Sequence, residues 1–124
     1  MGNLLERRLI NIRIWDLPVE KLCNKHLLGE HRELHCIFTF LTTDKGGSYK
    51  KHPETLRWVD KLPALYNHHE QQVKEINKRG WKHKSELPFI NGAKIQNKFI
   101  NTIEEQIEIL KNKKCLCFQK SCKI

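Results

Sequence analysis

His26, Glu30 and Glu33 stand at helical spacing inside an otherwise apolar run, and reactive side chains are most concentrated there. Advancing a helix by about 100° per residue puts Glu30 on the same meridian as Val19, Cys23, Ile37 and Leu41, with His26 and Glu33 flanking it on one side. A carboxylate on a buried face costs on the order of several kcal/mol unless it is paired or wetted. Three readings stay open. The three side chains can line a polar pocket set into the core. His26 and Glu30, four residues apart, can form a purely structural ion pair. The H-x3-E-x2-E spacing, helped by His68, His69 and Glu70, can hold a metal, although the matching Glu-x-x-His pattern of a carboxylate-bridged bundle site is missing. We expect no metal and no cofactor.

Around this patch the chain is strongly basic. Lys21, Lys25 and Arg32 group on the other side of the same run, the loop from Lys45 to His52 adds Lys45, Lys50 and Lys51, and the connector from Lys78 to Lys84 adds Lys82 and Lys84 around Trp81. Lys and Arg outnumber Asp and Glu by 23 to 14, a formal charge of +9. Such an excess on a small domain points to a polyanionic partner, with nucleic acid ahead of an anionic membrane surface. Cations neutralise phosphates and aromatic side chains offer stacking surfaces, so the expected partner is double-stranded DNA. No run approaches the roughly 18 to 20 apolar residues of a bilayer span, and Met1 to Arg8 has no apolar signal core. Glu6 occupies the place where a myristoylation signal after Gly2 wants Ser or Thr. The expected setting is cytoplasmic, with reduced thiols. Cys115, Cys117 and Cys122 have C-x-C-x4-C spacing with no nearby His, a poor zinc pattern.

The elements that must position these residues follow from periodicity. A chain of 124 residues with 39% hydrophobic and 30% charged residues fits one domain with a modest core. A first helix is expected from Asp16, as N-cap, to Thr42–Thr43, with Leu22, Leu27, Leu34, Ile37, Phe38 and Leu41 on its inner stripe. A second runs from Asp60 to Arg79, with Pro63 in its first turn and Gly80 as C′ residue. A third runs from about Ala93 to Asn112 on Ile95, Phe99, Ile103, Ile107 and Leu110. Only Leu9 to Ile14 resembles a strand, and the region of Glu54 to Trp58 stays undecided. The expected fold is all-α, a compact three-helix domain with basic connecting loops. It divides into an extension over 1–11, a helical domain over 12–114 and a cysteine-containing tail over 115–124.

Arg13-Ile14-Trp15-Asp16-Leu17-Pro18 followed by His26-Leu27-Leu28-Gly29-Glu30-His31-Arg32-Glu33-Leu34 resembles the pyrimidine-dimer DNA glycosylase and AP-lyase family of the phage endonuclease V type. Weaker matches continue at Asp60-Lys61-Leu62 and Lys78-Arg79-Gly80-Trp81. The resemblance implies a monomeric base-excision repair enzyme acting on duplex DNA that contains damaged pyrimidines or abasic sites. Its nucleophile would be the α-amine of residue 12, beside the glutamate matched by Glu33. The amine attacks C1′, a Schiff base replaces the base, and elimination of the 3′ phosphate nicks the strand. An α-amine with a pKa of about 8 is far more available than a lysine near about 10. Arg13, His26 and Arg32 match positions that hold phosphate or shape the pocket, and Lys25, Glu30, His35, Lys45, Lys50, Lys51, Lys82 and Lys84 complete the expected DNA-facing set. Two features depart from the family pattern. Met1 to Asn11 precede Ile12, so the amine requires a start or a cut at that point, and the tail carries no Trp or Tyr. The alternatives are a non-catalytic basic DNA-binding module, or a lyase that uses an internal lysine such as Lys25.

Overall fold

The computed structural model describes residues 12–82, 86–90, 92 and 94–113. Among them the regular elements are helical: α1 (Asn24–Thr42), one-turn α2 (Pro53–Leu56), α3 (Leu62–Lys78) and α4 (Ile103–Lys111), with 3-10 turns at Val19–Lys21 and Gly47–Lys51. The all-α expectation holds. No described helix is long and apolar enough to cross a membrane.

α1 begins later than its periodicity implied. Asp16 is not its N-cap, because its carboxylate accepts from Arg57 and Gln106 instead. Pro18 leads into a single 3-10 turn, and Leu22 and Cys23 are then extended, which breaks the helix and turns both side chains into the core. Lys21 therefore sits on a separate turn rather than on the face that carries Lys25 and Arg32. At the other end the hydroxyls of Thr42 and Thr43 bond to the carbonyls of Phe38 and Thr39, the local competition that makes threonine a poor helix continuer. Gly46 follows at φ 117°, and a Cβ there would lie 2.6 Å from the Phe40 ring.

α3 matches expectation closely. Pro63 lies in its first turn, where no backbone donor is lost. It closes in a Schellman arrangement: Gly80, at φ 99°, donates to Asn77, and Trp81 donates to Ile76. α4 is much shorter than the predicted run. Thr102 and Glu105 form a reciprocal capping box that starts the helix at Ile103. The residues before it form a strap, in which Gln96 donates to the Arg57 carbonyl and the Lys98 carbonyl accepts from the Arg57 side chain. Ile95 and Phe99 consequently face solvent instead of the core.

The apolar residues form two clusters. Trp15, Leu17, Leu22, Leu27, Ile76 and Leu110 make one. Ile12, Ile14, Leu34, Ile37, Phe40, Trp58 and Leu65 make the other. Each long helix passes from one cluster to the other, α1 from Leu27 to Leu34 and α3 from Leu65 to Ile76, so the two run antiparallel. Where they cross between clusters, the inward positions are polar: Glu30 on α1 and His68, His69 and Gln72 on α3. This polar seam is what the sequence pattern had flagged at Glu30.

Candidate active site

Residues 12–15 belong to no helix or strand and Asp16 and Leu17 form a bend, so the backbone groups this segment buries need other partners. Side chains provide them. Glu33 Oε1 accepts from the Arg13 amide at 2.8 Å, Glu30 Oε2 from the Trp15 amide at 2.7 Å, and Gln106 Oε1 from the Asp16 amide at 2.8 Å. The Ile14 carbonyl accepts from Arg57 at 2.7 Å. Side-chain alternation along the segment sends Ile12 and Ile14 into one cluster and Trp15 and Leu17 into the other.

The segment forms one wall of an open cleft of about 580 Å³. Ile12, Arg13 and Trp15 line it together with Lys25, His26, Glu30, Arg32 and Glu33 from α1, His52 to Glu54 from the α2 side, Ile100 from the strap, and Ile109 and Lys113 from the α4 end. The sequence-derived residues Ile12, Arg13, Lys25, His26, Glu30, Arg32 and Glu33 thus converge on one space. Arg13 stacks over Trp15 with its guanidinium carbon 4.3 Å from the ring centre and donates to Asn101 at 2.8 Å.

The two glutamates have different environments. Glu30 is buried and accepts from Trp15, from His68 Nε2 at 2.7 Å and from Gln72 Nε2 at 2.6 Å. The His26–Glu30 ion pair, one of the three readings left open by the sequence, is not the main partnership of Glu30, since His68 takes that place. Burial is the largest single influence on His68 and pulls its pKa down, yet the charge and hydrogen bond of Glu30 outweigh it and hold His68 above its ordinary value. Glu33 faces the cleft, and desolvation pushes its carboxyl up to about 7, with the Arg13 amide and Arg32 opposing and the charges of Glu30 and Glu54 adding. A carboxyl near neutrality is suited to giving and taking protons. His26 is shifted down, first by burial and then by the charges of Lys113 and Lys25. Its Nδ1 lies 3.2 Å from Cys23 Sγ.

Other expected contacts are differently placed. His35 lies against His31 and His69. Lys50 donates to the carbonyls of Phe40 and Thr43, so its ammonium closes the end of α1. Lys45, Lys51 and Lys82 are exposed. Trp81 packs against the Trp15 cluster and Arg79 bonds to Glu75, Asn24 and Leu22, so that connector serves the fold. Lys84, residues 1–11 and the tail cysteines Cys115, Cys117 and Cys122 lie outside the described residues.

Three supporting residues escaped the sequence reading. Gln72 and Gln106 had a signal, the same as Glu30: each is a polar residue on the inward stripe of its helix. Arg57 had none. It is buried and bonds to Glu54 at 2.7 Å, to Asp16 at 2.9 Å, and to the carbonyls of Ile14 and Lys98.

No curated protein and no solved structure matches the chain significantly. A family model described as pyrimidine dimer DNA glycosylase matches residues 12–89, which takes in α1, α2, α3 and most of the cleft. The chain belongs to the pyrimidine dimer DNA glycosylase family.

Proposed function

We propose that the chain is a base-excision DNA repair enzyme, a glycosylase with AP-lyase activity on duplex DNA that carries pyrimidine dimers or abasic sites. The observation that carries this reading is Glu33, at the cleft wall, accepting from the Arg13 amide at 2.8 Å. A chain beginning at Ile12 would present its α-amine one residue away from that bond. The neutral amine attacks C1′ of the damaged nucleotide. The N-glycosidic bond breaks and the base departs with the bonding electrons, taking a proton from Glu33. Loss of the amine proton and opening of the sugar give the protonated Schiff base. Removal of a C2′ proton then expels the 3′ phosphate and nicks the strand. The carboxylate of Glu33 also stabilises the cationic sugar.

Arg13, Arg32, Lys25 and Lys113 give the cleft a positive lining for the phosphates that flank an extruded nucleotide. Extrusion costs least where pairing is already damaged. Ile100 and Ile109 add apolar surface there, a contact for the lesion that needs no aromatic tail. All these groups come from one chain, so a monomer suffices.

Borohydride trapping on a duplex with an abasic site tests the reading. The chain starting at Ile12 is expected to become covalently linked through its first residue, and the chain carrying residues 1–11 is not. Glu33→Gln is expected to abolish cleavage while retaining DNA affinity. Trapping of the long chain at Lys25, which also lines the cleft, would replace the terminal amine by a lysine. DNA binding with neither trapping nor cleavage would make the protein a non-catalytic binding module.

A further inference from the structure

Behind the cleft, His31, His35 and His69 meet at the crossing of α1 and α3, with one ring nitrogen from each within 4.8 Å of the others. His31 and His35 are four apart and so project from one side of α1, and His69 faces them from α3. The nearest pair of nitrogens, Nε2 of His35 and Nε2 of His69, are 3.2 Å apart. Two nitrogens about 2.0–2.1 Å from a tetrahedrally coordinated zinc stand at about that separation from one another.

Neighbouring residues fix the tautomers of His31 and His69, while His35 Nε2 donates to the His69 Nε2 lone pair and an ion would displace that proton. Glu30 accepts from Gln72 Nε2, which leaves Gln72 Oε1 to accept from His31 Nδ1 at 2.8 Å. His31 therefore carries its proton on Nδ1 and its lone pair on Nε2. Glu70 Oε2 accepts from His69 Nδ1 at 2.7 Å, which sets the same tautomer on that ring. Metal-binding histidines are held in this way, with the non-ligating N–H given to a carboxylate or an amide oxygen. The Glu70 carboxylate also offsets part of the charge an ion would bring. His31 and His35 border a hollow of about 360 Å³ that offers an entry path and room for a water as fourth ligand.

We propose that His31, His35 and His69 form a three-imidazole binding site for a divalent transition metal ion, with Zn²⁺ the best suited. Neutral imidazoles favour late first-row ions over Mg²⁺ or Ca²⁺, which take oxygen ligands. The ion would clamp α1 to α3. Through Gln72 and Glu30 it would also stiffen the Trp15 amide bond that helps seat the cleft wall. The site is independent of the repair reading and stands or falls separately from it.

The experiment uses the full chain, freed of metal with EDTA and titrated with Zn²⁺ by calorimetry and with Co²⁺ by absorbance. One equivalent is expected to bind and to raise Tm. The cobalt spectrum is expected to show d–d bands without the near-ultraviolet charge transfer that thiolate ligands give. His31→Ala and His35→Ala, both at half-buried positions, are each expected to weaken binding at least a hundredfold. Glu70→Gln is expected to weaken it about tenfold. A chain with Cys115, Cys117 and Cys122 all changed to Ser is expected to bind as the parent does. If one histidine variant fails to fold, as judged by circular dichroism, the other decides. The proposal is overturned if the parent takes up neither ion, if the folded histidine variants bind normally, or if binding disappears with the tail cysteines.

Discussion

Removing Arg57 should damage the fold more than any other exchange of one charged residue among those described. Its guanidinium is buried and bonds to two carboxylates, Glu54 and Asp16, and to the carbonyls of Ile14 and Lys98. Arg57→Ala leaves Glu54, itself 1% exposed, with only the Trp58 indole donating to its carboxylate. It also strips the Ile14 carbonyl of its partner. Breaking a buried ion pair from one side costs about 3–5 kcal/mol, which lies within the total stability of about 5–15 kcal/mol of a small domain. The cost should depend on pH, with a sign set by Glu54. Burial already raises its carboxyl above the ordinary value, against the opposing pull of Arg57 and Trp58. Without Arg57 it rises further, so the folded variant holds a proton that the unfolded chain has released. The variant's deficit is therefore smallest below about pH 4, where Glu54 is protonated in both states, and widens as pH climbs towards neutrality. Urea unfolding of both proteins at pH 4 and pH 7 measures this. A loss below about 1 kcal/mol, or a deficit equal at the two pH values, would refute the bracket role of Arg57.

Four further outcomes are expected. In the EDTA-treated chain starting at Ile12, kcat/KM at an abasic site should climb with pH through a bend above the ordinary carboxylate value, because burial raises Glu33; a bend at about 4.5 would contradict the burial of that carboxyl. Because the folded state retains the Glu33 proton between about pH 4.5 and 7 while the unfolded chain loses it, Glu33→Gln should unfold at a higher urea concentration than the parent at pH 8 and at a similar one at pH 4. Gln106→Ala should lower stability by about 1–3 kcal/mol in a urea titration, since it leaves the half-buried Asp16 amide without its acceptor. In duplex DNA binding, Lys51→Ala should reduce the salt slope by about one, whereas Lys50→Ala should leave the slope alone and lower Tm, because its ammonium already serves the end of α1.

Periodicity and caps carried much of this fold. The extent of α3 was legible because Pro63 and Gly80 punctuate it with backbone chemistry that few other residues supply. α4 was overextended because Ile95 and Phe99 keep helical step with Ile103, and the Thr102–Glu105 box that starts the helix later competes with that pattern. α1 was overextended at its front for a related reason: Asp16 looks like an N-cap, but its oxygens are claimed by Arg57 and Gln106, 41 and 90 residues away. The candidate site was readable where one polar residue interrupted an inward stripe, as at Glu30. The partners of Glu30 were not, because spacing along α1 says nothing about which α3 side chain will stand opposite. Arg57 was the least legible, since the value of a buried arginine lies in groups assembled from Glu54 nearby and from two distant stretches of chain, at Ile14–Asp16 and at Lys98.

The segment from Ile12 to Leu17 constrains how a chain beginning at Ile12 would have to be made. Four consecutive residues, Arg13 to Asp16, each have a backbone group gripped by a different side chain from elsewhere in the fold. Together those grips act as a ruler, counting residues outward from the core to the cleft. A terminus one residue too long or too short would carry its nitrogen about 3.8 Å from the intended place, while everything behind it stayed in register. If the amine of residue 12 is the nucleophile, whatever generates it must be accurate to a single peptide bond, because the four grips hold the residues behind it in register.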